Sequence, residues 1–136
     1  MNYPRLLLGA LAASLIILIG EFAMIAVLGS QISAAREAAG IKPFVAQPLV
    51  GIAEVLLTGI FLIWLYAVVR SRSGPGFLTA LKAGAAGWFG VILLGTVHTI
   101  WEDFGIGSSV LLSVALFTLP IFLIATVTGA SVYREP

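Results

Sequence analysis

The stretch that decides the fold is LLLGALAASLIILIGEFAMIAVL, residues 6–28. Only Ser14 and Glu21 interrupt a run of apolar or small residues. About 20 such residues, rising ~1.5 Å each, match a hydrocarbon core of ~30 Å, so the stretch predicts a transmembrane helix. A charged side chain at the centre of such a helix costs roughly 2.5–3.5 kcal/mol on insertion scales. Glu21 is therefore expected to face protein or water, and it is the first functional candidate.

Composition agrees along the whole chain. Of 136 residues, 60% are hydrophobic and only 10% are charged. A soluble domain uses roughly 25% charged residues to cover its surface. With a mean hydropathy of +1.13, residues 1–136 read as one transmembrane domain whose surroundings are lipid bilayer. The net charge of +1 supplies no basic face for nucleic acid. The absence of cysteine excludes disulfide chemistry, iron–sulfur ligation and lipoprotein anchoring. The first apolar run is too long for the apolar segment of a signal peptide and lacks an A-x-A site, so it is read as a retained helix.

Four helices are predicted, at about 6–30, 49–69, 78–101 and 106–132. The fold class is all-α, a four-helix transmembrane bundle. The first loop, QISAAREAAGIKPFVAQP (31–48), has helix formers between Ser33 and Gly40, which predicts a short interfacial helix there. The second, RSRSGPGF (70–77), is a tight basic turn built on Gly-Pro-Gly. Arg70 and Arg72 are candidates to grip anionic lipid headgroups. In the third helix, Ala83/Gly87 and Ala86/Gly90 are small-xxx-small pairs that let helix backbones approach closely. Pro120 cannot donate to the Leu116 carbonyl inside the fourth helix, which predicts a kink or a re-satisfied carbonyl. Arg5, Arg70, Arg72, Lys82 and Arg134 lie on the side of both termini, against Arg36 and Lys42 on the other. That balance predicts cytoplasmic termini.

Depth singles out further polar residues. Glu21 lies fifteen residues after Leu6, so ~22 Å up the first helix. Glu54 lies five residues after Leu49 on the descending second helix, ~7.5 Å from the opposite boundary. These heights nearly coincide in a ~30 Å core. His98, near the end of the third helix, falls in the same layer, and Glu102 lies one turn above it at i, i+4. The expectation is a polar pocket of Glu21, Glu54, His98 and Glu102, open to the outside. Two carboxyls in a dry layer cannot both ionise easily, so the pair is suited to hold and release a proton or cation, with His98 as a relay. The same residues admit a structural reading, in which a protonated Glu21 bonds a neighbour such as Glu54 or Ser113 and joins two helices.

Cofactor and catalytic signatures are sparse. One histidine, no Glu-x-x-His and no His-Glu-x-x-His give no metal site of known spacing. No cofactor is predicted; a single divalent metal on the Glu/Glu/His set and a haem or chlorophyll-type pigment on His98 are the minor options, and Gly87, Gly90 and Gly95 would leave room for a flat ring but serve helix packing equally well. No nucleophile–base pair, phosphate loop or dinucleotide fingerprint is present, so an enzyme ranks behind the other readings.

The segments RLLLG…IGEF (5–22), WLYAVVRSRSGPGFLTALKAGAAGWF (64–89) and GASVYRE (129–135) resemble a group of small, uncharacterised bacterial four-helix integral membrane proteins. The resemblance implies a multi-pass inner-membrane protein with a Gly-Pro-Gly cytoplasmic turn and a glutamate in the first helix. It implies no activity. The stretch 97–104, with His98, departs from that group. Glu21 and the Gly-rich third helix are also similar to the pattern of small multidrug exporters, but the long first loop, extra length and charge asymmetry depart from it. Two functions are therefore expected. One is a non-catalytic membrane subunit associating with copies of itself or other chains and binding a small ligand or lipid. The other is a small proton- or cation-coupled carrier or channel using Glu21 and Glu54.

Overall fold

The structure, a computed structural model, describes residues 2–42, 47–102 and 105–133. Its elements in order are α1 (Tyr3–Ala38), α2 (Gln47–Ser73), α3 (Phe77–Trp88), a π-helical turn (Phe89–Leu93), α4 (Leu94–Trp101) and α5 (Ser108–Val132). Helix α3, the π turn and α4 form one continuous rod, Phe77–Trp101. The four rods are each long and apolar enough to cross a membrane. The protein is an all-α, four-helix bundle of membrane-spanning type.

Local chemistry accounts for several boundaries. The Asn2 side chain accepts the Arg5 N–H at 3.2 Å and Pro4 sits in the first turn, where its missing donor is harmless. The second connection turns at Gly74 (φ +76°) and Gly76 (φ +153°), conformations that favour glycine. There Thr79 Oγ1 donates to the Gly74 carbonyl at 2.9 Å.

The first loop differs from its expected form. SAAREAAG adds no separate interfacial helix. It continues α1 without a break to Ala38, and only Gly40 (φ +68°) ends the run. Nothing at Ser30 forces a stop, because the residues that follow are helix formers. The helix therefore spans 36 residues, about 54 Å at ~1.5 Å each, well beyond a core of ~30 Å. Pro43 lies outside the described residues, while Pro48 is the second residue of α2, a position that tolerates proline. Helix α2 runs on through Arg70 and Arg72 to Ser73, and α5 runs unbroken through Pro120.

Helix α1 packs against α2 and α5, and α3 packs against the same two. Helices α2 and α5 also meet across the bundle, whereas α1 makes no contact with α3 or α4 among the described residues. Small residues set the spacing. A Cβ on Gly9 would stand 2.7 Å from the Gly129 carbonyl, and one on Gly129 would stand 2.6 Å from the Gly9 carbonyl. The α1 and α5 backbones thus touch, as small residues at membrane interfaces allow. Gly59 meets Ser14 and the Ala10 carbonyl between α2 and α1. Gly84 approaches the Phe122 carbonyl and Thr126 between α3 and α5. Ser14 Oγ adds an interhelical bond, donating to the Val55 carbonyl at 3.2 Å.

The packing is confined to one end. Among the described residues, none is buried after Ile17 in α1, before Val55 in α2, after Gly87 in the third rod, or before Ala115 in α5. The core lies on the side of the two termini, where Leu6, Leu62, Ile63, Tyr66, Phe122 and Tyr133 interlock. The loop-side half is open.

Candidate functional site

The π turn fixes where the third rod's side chains face. Its defining bond runs from the Leu94 N–H to the Phe89 carbonyl, five residues back. Such a turn accommodates one residue more than an α-turn and shifts the phase of everything beyond it. Before it, the inward stripe is Thr79, Ala80, Ala83, Gly84 and Gly87. An unbroken α-helix would carry that stripe on to Val91, Leu94 and His98. Instead these three are exposed, and the half-buried positions are Trp88, Ile92, Leu93, Thr96, Thr99 and Ile100. Trp88 anchors the break. Its Nε1–H donates to the Ala115 carbonyl at 2.9 Å and to Thr118 Oγ1 at 3.2 Å.

This shift decides which of the four expected pocket residues meet. Glu21 is half-buried on the α1 face that continues from Ile17. It sits beside Gly20, where α1 lies so close to α5 that a Cβ would stand 2.6 Å from Ile121. Glu54, on α2, is exposed but near enough for its charge to act on Glu21. Those two lie on helices that pack against each other. His98 and Glu102 do not join them: both are exposed, and among the described residues α4 touches α5 but neither α1 nor α2. The Glu102 N–H only closes the α4 end on the His98 carbonyl at 2.9 Å. Among the described residues, no group of three or more His, Cys, Asp or Glu side chains converges. Glu21 and Glu54 thus lie on adjacent helices, with His98 and Glu102 on a rod that packs against α5. Asp103, beyond Glu102, lies outside the described residues.

The remaining candidates divide in the same way. Ala83 and Gly87 are buried, with Gly87 receiving Leu62 of α2. Ala86 and Gly90 are exposed, and nothing stands within 4 Å of a Cβ on Gly90. Gly95 likewise faces open space. Pro120 faces outward. Arg72 is exposed, while Arg70 is half-buried with its guanidinium carbon 5.7 Å from the centre of the Tyr133 ring. Tyr133 in turn meets Tyr66 edge-on at 6.2 Å. Tyr66, Arg70, Phe77 and Tyr133 line a cavity of about 450 Å³ at the terminal end.

Two features escaped the reading of the chain. The Gly9–Gly129 and Gly59–Ser14 approaches make the tightest helix crossings, yet single glycines in apolar runs do not declare their partners. A second cavity, of about 600 Å³, is lined by the far part of α1, residues 40–42 and Gln47. It exists because α1 continues where a loop was expected. Compared with known proteins, the chain matches no family model, no curated protein and no solved structure.

Proposed function

We propose that the protein is a non-catalytic subunit of a membrane assembly, whose open half is covered by another membrane chain, a copy of itself or a larger partner. The observation that carries this reading is the position of its polar groups relative to its packing. Apolar exposure alone says little, because lipid tails cover leucine as well as protein does. Glu54 and His98 are different. Both are exposed in the half where no described residue is buried, and a glutamate turned to lipid is costly. A neighbouring chain that supplies hydrogen-bond partners removes that cost. The bacterial inner membrane, cytoplasmic termini, anionic lipid on Arg70 and Arg72, and kinship with the four-helix group belong to the same proposal. They rest on the charge balance and the quoted motifs.

The chain has no cysteine, which makes the test clean. Single-cysteine variants Glu54→Cys, His98→Cys and Ala83→Cys are cross-linked in native membrane. Position 54 or 98 is expected to join a second protein and position 83, buried in the core, is not. Absence of any product at 54 and 98, with the protein folded, overturns the reading.

A second reading is favoured by one observation, the proximity of Glu21 and Glu54. Two carboxyls on adjacent helices in a low-dielectric layer are suited to exchange a proton or cation. In liposomes, proton flux abolished by Glu21→Gln supports a carrier or channel. Flux indistinguishable from empty vesicles excludes it.

A further inference from the structure

The cavity formed by the end of α1 has a built-in polarity. Toward the bilayer it is lined by Ile25 and Ile32, and Ile41 closes it from the returning chain. Farther out it is lined by Arg36, Lys42 and Glu37. Arg36 is half-buried and Lys42 exposed. Neither makes an ion pair with a carboxylate among the described residues. The backbone holds this wall in shape: the Ile41 N–H donates to the Arg36 carbonyl at 2.9 Å across the Gly40 turn. The α4–α5 connection braces the tip, where a Cβ on Gly105 would stand 3.3 Å from Ala39 Cβ.

Charge distribution makes the cavity more than a gap. The chain has seven Lys and Arg residues. Arg36 and Lys42 are the two on the loop side, and both face this one space. Its volume of about 600 Å³ lies within the ~300–1,000 Å³ usual for ligand sites. Depth fits as well. Ile25 sits near the far boundary of the apolar run, and Arg36 is eleven residues, or ~16 Å, beyond it. That interval crosses the interfacial layer of the bilayer and continues past it.

We infer that this cavity binds one amphiphile with an anionic head, its phosphate or carboxylate on Arg36 and Lys42 and the start of its tail against Ile25, Ile32 and Ile41. A phosphate or carboxylate is the natural partner of a guanidinium. The two cations exceed the single Glu37 carboxylate, so a neutral or zwitterionic head gains less. Bilayer phospholipid and free fatty acid share this chemistry. The site stands independently of the subunit reading: a single chain with a bound amphiphile supports this inference and overturns that one.

The test is native mass spectrometry of the full chain in mild detergent. It is titrated separately with dioleoyl phosphatidylglycerol, dioleoyl phosphatidylcholine, oleate and inorganic phosphate. At least tenfold preference for phosphatidylglycerol over phosphatidylcholine is expected, with one retained lipid per chain lost in Arg36→Gln/Lys42→Gln. Lys82→Gln, at the opposite end, is expected to retain it. Ile32→Ser is expected to weaken retention while leaving helicity by circular dichroism unchanged. Displacement of phosphatidylglycerol by oleate would identify a carboxylate amphiphile as a ligand, and failure of oleate to compete would restrict the site to phospholipid. Equal binding of the two phospholipids, retention unaltered in the double variant, or inorganic phosphate alone binding as tightly would overturn the inference.

Discussion

Glycines and a serine hold this bundle together, and their roles are distinct enough to test one by one. Gly9 and Gly129 let the α1 and α5 backbones meet, so a larger side chain must push two helices apart. Gly129→Leu is expected to destabilise the fold by about 1–3 kcal/mol or more, the range for an overpacked core, read from reversible unfolding in mixed micelles. Ser14→Ala removes the bond to the Val55 carbonyl. It is expected to cost ~0.6 kcal/mol, the mean for interhelical side-chain bonds in a membrane. At His98 the expectation is reversed. The imidazole is exposed and packs in no core, so His98→Ala is expected to stay within about 0.5 kcal/mol of the parent chain. A loss of several kcal/mol at that position would mean that the residue is packed. Residue types were legible in the sequence at this scale: Glu21 and Glu54 drew notice because charge is rare in apolar helices, and the structure sets them near one another. What each glycine touches was not legible, since a small-residue motif names one helix and leaves its partner open.

Among the elements, the third rod shows most clearly where a sequence reading runs out. Its length and position follow from hydropathy. Its facing does not, because the reading assumed 3.6 residues per turn throughout. One π turn at Phe89–Leu93 carries His98 from the expected inward face to the outside, and Glu102 goes with it. No residue in FGVIL announces such a turn. Spin labels report it directly. On single-cysteine variants in liposomes, oxygen accessibility is expected to be high at Leu94→Cys and His98→Cys and low at Thr96→Cys and Ile100→Cys. The opposite pattern would mean an unbroken α-helix. Deleting Val91 is expected to restore the α-helical phase and invert the accessibility pattern beyond it. Helix α1 teaches a related lesson. The helix formers of SAAREAAG predict helix there, and the structure makes it the last turns of α1 rather than a separate element. Only a capping residue or an incompatible φ ends a helix.

For the whole molecule, two ends of one bundle behave differently. At the terminal end, backbones touch, tyrosines stack edge-on and every large core side chain is engaged. At the loop end the described residues are at most half-buried, and they include Glu21, the exposed Glu54 and an exposed histidine. Four rods and an all-α fold followed from composition and periodicity, which depend on each helix alone. The asymmetry depends on how helices meet, and a single chain's hydropathy carries little of that. The bundle is therefore expected to be rigid at one end and adaptable at the other. Backbone amides near Ala83 and Ala125 should exchange with deuterium far more slowly than those near Gly51 and Gly95. The open end is also where another chain is proposed to sit. The most direct test counts chains in nanodiscs formed straight from native membrane, by mass photometry with the lipid contribution calibrated on empty discs. The expected protein mass is at least twice the single chain's 14.2 kDa, or that of a larger assembly containing it. Discs holding one 14.2 kDa chain and no other protein would contradict it.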